Sequence, residues 1–130
     1  MPPPRVQVVV ADDHPLFREG IERAVRERPD LELLASAADG REALAQIREL
    51  VPRVAVLDMR LPGLDGLQIV NAVTRDALPT RVLILSASGD AELVYRAVQG
   101  GAAGYFRKES DRQAILDAQQ TQANTLFAAP

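Results

Sequence analysis

The fold is decided by the stretch VQVVVADD, residues 6–13, in which a nearly unbroken apolar run ends in two adjacent carboxylates. Strands of a parallel sheet read as such runs, because helices bury them on both faces. Four more short runs rich in Val, Leu and Ile follow, and successive runs start 25, 23, 27 and 22 residues apart. The predicted strands are residues 6–11, 31–36, 54–57, 81–85 and 103–106.

The segments between these runs repeat apolar residues at helical spacing, as Ala43, Leu44, Ile47 and Leu50 do. Strands that alternate with helices at this interval indicate repeated βαβ units, which right-handed crossovers assemble into one parallel sheet. Five such units predict an α/β, (βα)5 fold, a doubly wound five-stranded parallel sheet with helices on both faces. The flavodoxin-like strand order 2-1-3-4-5 is the common order for this arrangement.

Short polar side chains precede the predicted helices, where they can accept hydrogen bonds from the first free backbone N–H groups. The predicted caps are Asp39 with Glu42 for the second helix, Asp65 for the third, Ser88 or Asp90 for the fourth, and Ser110 or Asp111 for the fifth.

Length and composition narrow the class of protein. A chain of 130 residues, 47% hydrophobic and 25% charged, is typical of one globular domain. The absence of cysteine excludes disulfides and thiolate zinc sites and fits a reducing, cytoplasmic setting. A net charge of -3 argues against a nucleic-acid surface, and no apolar run reaches the ~18 residues of a membrane span.

We expect a disordered N-terminal segment at 1–5, one folded domain at 6–123, and the start of a linker or tail at 124–130.

Polar residues follow four of the five predicted strands. Asp12 and Asp13 come after the first strand, Asp58 after the third, Ser86 after the fourth and Lys108 after the fifth. Ligands of doubly wound sheets bind beyond the carboxyl ends of the strands, at the point where the strand order reverses. The sequence therefore predicts that three carboxylates, a hydroxyl and an ammonium group converge at one edge of the sheet.

Clustered carboxylates repel one another, so a cation is expected among them. Mg²⁺ fits better than Ca²⁺, because it keeps several waters and shares phosphate oxygens, and zinc is disfavoured because His14 is the only histidine. Beside such an ion a carboxylate can attack phosphorus, while Lys108 and Ser86 can bind phosphoryl oxygens. The residues predict a phosphoryl site with magnesium.

Each of these residues also has an ordinary structural interpretation. Asp12 or Asp13 can cap the first helix, since Pro15 stands where a first helical turn begins. A lone Asp58 is more often a turn residue, and His14 is more often a residue at a helix start than a ligand. A helix cap would explain only one of Asp12 and Asp13. The functional interpretation is favoured because polar residues follow four of the predicted strands together.

Four motifs, in order, carry a resemblance to a known family: VVVADDHP at 8–15, LDMRLPGLDG at 57–66, LSA at 85–87 and GYFRK at 104–108. Over residues 6–123 the chain resembles a receiver domain of the response regulators of two-component signalling, in the CheY-like superfamily. The stretches DDHPLFREG and ADGREAL are similar to the NarL/FixJ subfamily, whose members usually carry a LuxR-type helix-turn-helix at the C-terminal end.

This resemblance implies a role for each residue of the predicted site. Asp58 would be the phosphoacceptor for a sensor histidine kinase. Asp13 and Asp58 would bind Mg²⁺ directly, Asp12 through water, and the backbone carbonyl of Arg60 would complete the protein ligands. Lys108 would bridge to the phosphoryl group.

The resemblance also implies a switch. Ser86 would move toward the phosphoryl group and Tyr105 would turn inward, altering the face made by the fourth helix, fifth strand and fifth helix. A homodimer through that face is a further expectation. DNA binding would belong to an output domain that follows this chain, and no membrane partner is expected.

Several alternatives are weighed against a phosphorylated receiver. A stand-alone receiver or a pseudo-receiver would act as a protein-binding module of the same fold. A pseudo-receiver works without phosphorylation, and such degenerate members typically lose one of the acids, Ser86 or Lys108. A dehalogenase-type phosphatase would need a second Asp two residues after Asp58, where Arg60 stands. A nucleotide-binding domain would need a glycine-rich phosphate loop after the first strand, and none occurs there.

Overall fold

The computed structural model describes residues 5–87 and 90–108, which contain five strands and four helices. The strands are β1 (Val6–Ala11), β2 (Leu31–Ala37), β3 (Val54–Asp58), β4 (Arg81–Ser86) and β5 (Gly104–Arg107). The helices are α1 (Pro15–Arg26), α2 (Gly40–Leu50), α3 (Gly66–Arg75) and α4 (Ala91–Gln99). The predicted fifth helix, its caps Ser110 and Asp111, the cap candidate Ser88 and the predicted domain end at 123 lie outside the described residues.

The five strands form one sheet in the order β2-β1-β3-β4-β5, and every neighbouring pair is parallel. The predicted α/β class and strand order are confirmed. Strand β3 lies at the centre, where Leu57 pairs with Ala11 of β1 and Asp58 pairs with Leu85 of β4. This register brings the carboxyl ends of three strands to the same level, so the residues that follow them are neighbours in space.

Alternate residues of the central strands pack into two apolar layers, one on each face of the sheet. Val54 and Val56 of β3 contribute to a cluster with Ile21 and Val25 of α1. The intervening strand residues face α2, α3 and α4, whose buried side chains form the second cluster. Burial on both faces explains why β3 has no exposed residue. Within the described part of the chain, no helix combines the length and apolar character that crossing a bilayer requires.

The helix starts show which predicted caps form. Asp65 and Gln68 make a complete capping box at the start of α3, each side chain accepting from the other residue's backbone N–H. Asp39 accepts from the Glu42 N–H at 2.9 Å, but the Glu42 carboxylate accepts from Ala38 instead of Asp39. The predicted cap at Asp39 therefore forms, without the reciprocal bond of a capping box.

Two other cap candidates make no side-chain hydrogen bond to a helix start. His14, not Asp12 or Asp13, occupies the N-cap of α1, and its side chain makes no cap hydrogen bond. Asp90 occupies the N-cap of α4, yet its side chain accepts nothing from that helix. The Asp90 carboxylate has other partners nearer the carboxyl edge of the sheet, which compete successfully for its two oxygens.

The loop between β3 and α3 is held against the start of α2. The Gly40 N–H donates to the Pro62 carbonyl at 2.9 Å, and a β-carbon at Gly40 would collide with the backbone carbonyl of Leu64. Gly63 has a φ of +84°, which L side chains rarely adopt. Glycine at positions 40 and 63 thus fixes the path of the loop that follows Asp58.

Candidate functional site

Acidic side chains gather at the carboxyl edge of the sheet, beyond β1 and β3. Asp12, Asp13, His14 and Asp58 each offer one oxygen or nitrogen, and these four atoms all lie within 4.8 Å of one another. Asp12 is 0% exposed and Asp58 3% exposed, whereas Asp13 and His14 lie at the surface. The structure therefore brings together the three carboxylates that the sequence predicted at one edge of the sheet. Two of them, Asp12 and Asp58, are buried, and Asp13 lies at the surface.

Lys108, just after β5, extends its ammonium group into this cluster. Its Nζ lies 2.8 Å from Asp12 Oδ2, 3.3 Å from Asp58 Oδ2 and 3.2 Å from His14 Nδ1. Burial by itself would lower the pKa of Lys108, but its hydrogen bond to Asp12 and the charge of Asp58 raise the pKa above its ordinary value. The ammonium group thus stays charged and neutralises part of the acidic cluster.

The carboxylate of Asp58 is the most perturbed acid of the cluster. Burial raises the pKa of Asp58, and the negative charge of Asp12 raises it further. Lys108 and the backbone N–H of Arg60, which donates to Asp58 Oδ1 at 3.3 Å, act in the opposite direction. The net upward shift, caused first by burial, means that the charged form of Asp58 is disfavoured here, and a further cation beside it would stabilise that charge.

The donor set matches a hard divalent cation. The carboxylates supply oxygen ligands from both the buried and the exposed side, which is what Mg²⁺ binds in proteins while it keeps some of its water. For Arg60, the contact to Asp58 is made by its backbone N–H, and its guanidinium binds Asp90, which does not belong to the cluster. The role of its carbonyl as a metal ligand stays a prediction.

His14 belongs to the cluster, which sequence reasoning did not foresee. The backbone N–H of His14 donates to Asp12 Oδ1 at 2.8 Å, and this short turn brings the imidazole to within 3.2 Å of the same oxygen. Its Nδ1 is also 3.4 Å from Asp13 Oδ1. Asp12, Asp13 and His14 are adjacent in the sequence, which could have indicated a shared cluster. Predicting it would have required knowing that the chain turns after β1 and does not continue as an extended strand.

Ser86 and Tyr105 line one side of the site. Ser86, the last residue of β4, is 5% exposed, and its hydroxyl donates to the Phe106 carbonyl at 3.5 Å. Tyr105 is 51% exposed and borders a groove that it shares with Ser86 and with Val94 of α4. The Ser86 hydroxyl therefore makes only a long hydrogen bond, and Tyr105 lies outward.

Asp90 is a site residue that the sequence assigned elsewhere. Its Oδ1 accepts from Arg60 Nε at 2.7 Å, and its Oδ2 accepts from the Ala87 N–H at 2.9 Å. Asp90 is 3% exposed, whereas 61% of the Arg60 side chain is exposed. An acid just before a helix predicts a cap, and nothing local distinguishes it from an acid that pairs with a residue thirty positions away.

Comparison with known proteins gives a consistent result. The family described as the response regulator receiver domain matches residues 8–120. The "Probable transcriptional regulatory protein NarL" of Mycobacterium tuberculosis is 48% identical over 116 residues, which cover 89% of this chain and 54% of that protein. The nitrate/nitrite response regulator protein NarP of Escherichia coli is 36% identical over 112 residues, 86% of this chain and 52% of that protein.

Solved structures agree with these relatives. The signal receiver domain of NarL from Mycobacterium tuberculosis has a TM-score of 0.84 and 47% identity, and the match covers 91% of this chain and 98% of that chain. A LuxR-family two-component response regulator from Aurantimonas has a TM-score of 0.83 and 31% identity, covering 92% of this chain and 85% of that chain. The chain spans about half the length of the curated relatives that it matches.

Proposed function

The chain belongs to the response regulator receiver domain family, and from this premise we propose that Asp58 is its phosphoacceptor. The observation that carries the proposal is the setting of the Asp58 carboxylate. It ends the central strand, is 3% exposed, and lies within 3.3 Å of the Lys108 ammonium group and of the Arg60 N–H. A carboxylate in this position faces two donors that can bind phosphoryl oxygens.

Family membership implies a histidine kinase as the partner, so the donor is a phosphoimidazole. An oxygen of the Asp58 carboxylate forms a bond to phosphorus while the N–P bond of the donor breaks, and the electron pair of that bond stays on the imidazole nitrogen. Lys108 binds one phosphoryl oxygen and the Arg60 N–H another, which stabilises the charge that spreads over these oxygens in the transition state. Ser86 would supply a third hydrogen bond after its weak bond to Phe106 is given up.

We propose Mg²⁺ as the resident cation, held by Asp13 and Asp58 directly, by Asp12 through water and by the Arg60 carbonyl. The clustered oxygen atoms and the upward shift of the Asp58 pKa support this proposal. A bound Mg²⁺ supplies positive charge that screens the carboxylates from the incoming phosphoryl oxygens. Lys108 alone leaves the cluster with an excess of negative charge, so the site requires a second cation to accept a phosphoryl group.

Phosphorylation would change the positions of Ser86 and Tyr105. We propose that Ser86 moves toward the phosphoryl group and that Tyr105, now half exposed, turns toward the space that the serine leaves. The groove between α4 and β5 that both residues border would change shape in consequence. Phosphorylation would thus alter a surface of α4 and β5, on which a homodimer or another partner depends.

The chemistry of the chain is proposed to be self-directed. Water attacks the phosphorus of the acyl phosphate, the bond to Asp58 breaks, and the carboxylate and inorganic phosphate are released.

We propose that residues 6–123 are the receiver domain and that 124–130 begin a linker, in keeping with the family match to 8–120. Output through DNA would belong to a helix-turn-helix domain, as the names of longer transcriptional relatives suggest. A chain without cysteine suits a cytoplasmic setting.

The proposal is tested by incubating the chain with acetyl phosphate and Mg²⁺ and measuring its intact mass. We expect the mass of one phosphoryl group to be added, the addition to be absent in Asp58→Asn, and chelation of the metal to prevent it. Asp76→Asn is the matched control, because Asp76 is an acid of the same type held by two arginines away from the site. A chain that stays unmodified with every small donor, or an Asp58→Asn variant that is still modified, would overturn the assignment.

A further inference from the structure

Arg60 and Asp90 join the two loops that border Asp58. Arg60 follows Asp58 by two positions, and Asp90 precedes α4, in the segment that leaves β4 at Ser86. The Arg60 Nε donates to Asp90 Oδ1 at 2.7 Å, and the second oxygen of Asp90 accepts from the Ala87 N–H at 2.9 Å. One carboxylate therefore holds a side chain from one loop and a backbone amide from the other.

The Asp90 carboxylate is committed to this pair of contacts. Burial opposes its charge, but the Ala87 N–H and the Arg60 guanidinium act more strongly, and the pKa of Asp90 lies below its ordinary value. Asp90 also stands at the N-cap of α4 without accepting from that helix. An acid in this position usually stabilises the helix start. Here the connection between the two loops takes the place of the cap.

The two partners of this ion pair differ in exposure. Asp90 is buried, whereas most of the Arg60 side chain is in solvent. The guanidinium can therefore leave without disturbing packed atoms, while the carboxylate depends on its partners. The backbone of Arg60 is already bonded to Asp58 Oδ1 through its N–H. The Arg60 backbone is therefore next to the carboxylate that would carry the phosphoryl group, while its guanidinium is bound by Asp90.

A phosphoryl group on Asp58 would compete with Asp90 for this guanidinium. The phosphoryl group carries a charge of about -1.5 to -2 at neutral pH, which replaces the single negative charge of the free carboxylate, and it offers three strong acceptor oxygens, to which arginine can make two parallel hydrogen bonds. A single carboxylate charge holds Arg60 in the unphosphorylated chain. The stronger anion, close to the Arg60 backbone, therefore favours transfer of the side chain.

We propose that Asp90 is a positioning residue that, in the unphosphorylated chain, holds Arg60 away from Asp58 and fixes the Ala87 amide next to Ser86. When Asp58 carries a phosphoryl group, Arg60 transfers to it and Asp90 loses its side-chain partner. The Ala87 amide is then bonded to a carboxylate that the loop after Asp58 no longer holds in place, so Ala87 and Ser86 can shift together with Asp90. This inference rests on the proposed function of Asp58. It assigns to Asp90 the control of two donors, the Arg60 guanidinium and the Ser86 hydroxyl.

The experiment compares Asp90→Asn, Arg60→Gln and the double variant with the wild-type chain. In the unphosphorylated protein, ¹H–¹⁵N spectra should show that both single variants move the Ala87 amide resonance. With acetyl phosphate and Mg²⁺, Asp90→Asn should be phosphorylated about 3- to 10-fold faster, because Arg60 is no longer held. In the Arg60→Gln background the same substitution at Asp90 should change the rate less than 2-fold, because the released side chain is absent.

Two controls separate this role from a general effect on stability. Asp90→Glu keeps the charge and should restore the wild-type rate in part. Asp76→Asn breaks an ion pair of the same type, Arg48 to Asp76 at 2.9 Å, and should leave the rate unchanged. Arg60→Gln changes a largely exposed side chain, so its effect on the Ala87 amide remains measurable even where Asp90→Asn reduces folding.

The outcomes distinguish the two proposals. A wild-type chain that takes up no phosphoryl group overturns the proposed function and the transfer of Arg60 with it, whereas the restraint on Ala87 is still decided by the amide spectra. A phosphorylated wild type with an unchanged rate in Asp90→Asn overturns the positioning role alone. An equal acceleration with and without Arg60 does the same, because Asp90 would then act without holding the arginine.

Discussion

The ammonium group of Lys108 lies over the ring of Phe17, 4.8 Å from its centre. This contact connects the end of β5 to the first turns of α1, and it places a polarizable aromatic face opposite the carboxylates that Lys108 binds. A cation over an aromatic ring is stabilised by about 0.5–1 kcal/mol at partly exposed sites. Phe17 therefore helps to hold the ammonium group at the position from which it can reach a phosphoryl oxygen.

We expect Phe17→Leu to slow phosphorylation by acetyl phosphate about 2- to 5-fold, because Lys108 loses the ring while the apolar packing of α1 is largely kept. The rate of mass increase measures the effect. Ile21→Val, on the same face of α1, is the control: it costs about 1 kcal/mol of packing and does not alter the surroundings of Lys108. Equal slowing in both variants would show that the ring acts through packing alone.

Gly40→Ala should destabilise the chain by about 1–3 kcal/mol, because the new β-carbon collides with the Leu64 carbonyl and moves the loop that follows Asp58. Denaturant unfolding measures the loss. Gly104→Ala is the matched control, since its β-carbon would meet only the end of the Leu83 side chain at 3.4 Å. A Gly40→Ala variant as stable as Gly104→Ala would contradict the tight approach of α2 to this loop.

Mg²⁺ should raise the thermal midpoint of the chain relative to a chelator, because an ion that binds only the folded state stabilises it by mass action. At about ten times the dissociation constant the gain is about 1.4 kcal/mol, a shift of roughly 4–8 °C. Asp13→Asn should remove most of this shift. Asp39→Asn changes a half-buried acid at the N-cap of α2, away from the cluster, and should keep the shift. The same shift in both variants would place the ion outside the cluster.

The ion pair between Arg28 and Asp30 should make the free energy of unfolding depend slightly on pH in the acidic range. The Arg28 guanidinium donates to both Asp30 oxygens, at 2.9 and 2.8 Å, and this hydrogen bond lowers the pKa of Asp30. Because the folded-state pKa lies below that of the unfolded chain, the pair stabilises the fold above the ordinary pKa, about 4, and the contribution is lost as the pH falls further.

The measurement compares the free energy of unfolding of wild type and Asp30→Asn across this range. The side chains of Arg28 and Asp30 are 22% and 34% exposed, so the difference at neutral pH should stay below about 1 kcal/mol. It should shrink toward zero in acid, where Asp30 is protonated in both states. A difference that stays constant with pH would mean that the substitution acts through something other than the charge of Asp30.

Sequence reasoning placed the strands well because strands buried on both faces read as apolar runs, and it placed their order because 2-1-3-4-5 is common in doubly wound sheets. Val54 to Leu57 could be read as a strand since every side chain there is buried against helices on both faces. The convergence of Asp12, Asp13 and Asp58 was predictable for a related reason, because parallel strands direct their carboxyl ends to one edge. Neither inference needed knowledge of a specific contact.

Contacts between side chains far apart in the chain could not be predicted in this way. Asp90 was expected to cap a helix, and its pairing with Arg60 depends on how closely two loops approach. The position of Phe17 under Lys108 depends likewise on the rotation of α1 about its axis. Local sequence restricts a residue to an element and a face, while the choice between two available partners is made by the assembled structure.

The position of β3 at the centre of the sheet separates two kinds of motion. Asp58 ends a strand paired on both sides, so we expect amide hydrogen exchange in β3 to require opening of the whole domain. Ser86 and Tyr105 belong to β4 and β5, and β5 forms an edge of the sheet. We therefore expect the chemical event to be anchored in a slowly exchanging strand, and its readout at Tyr105 to lie in an edge strand that can rearrange many times before the centre of the sheet opens once.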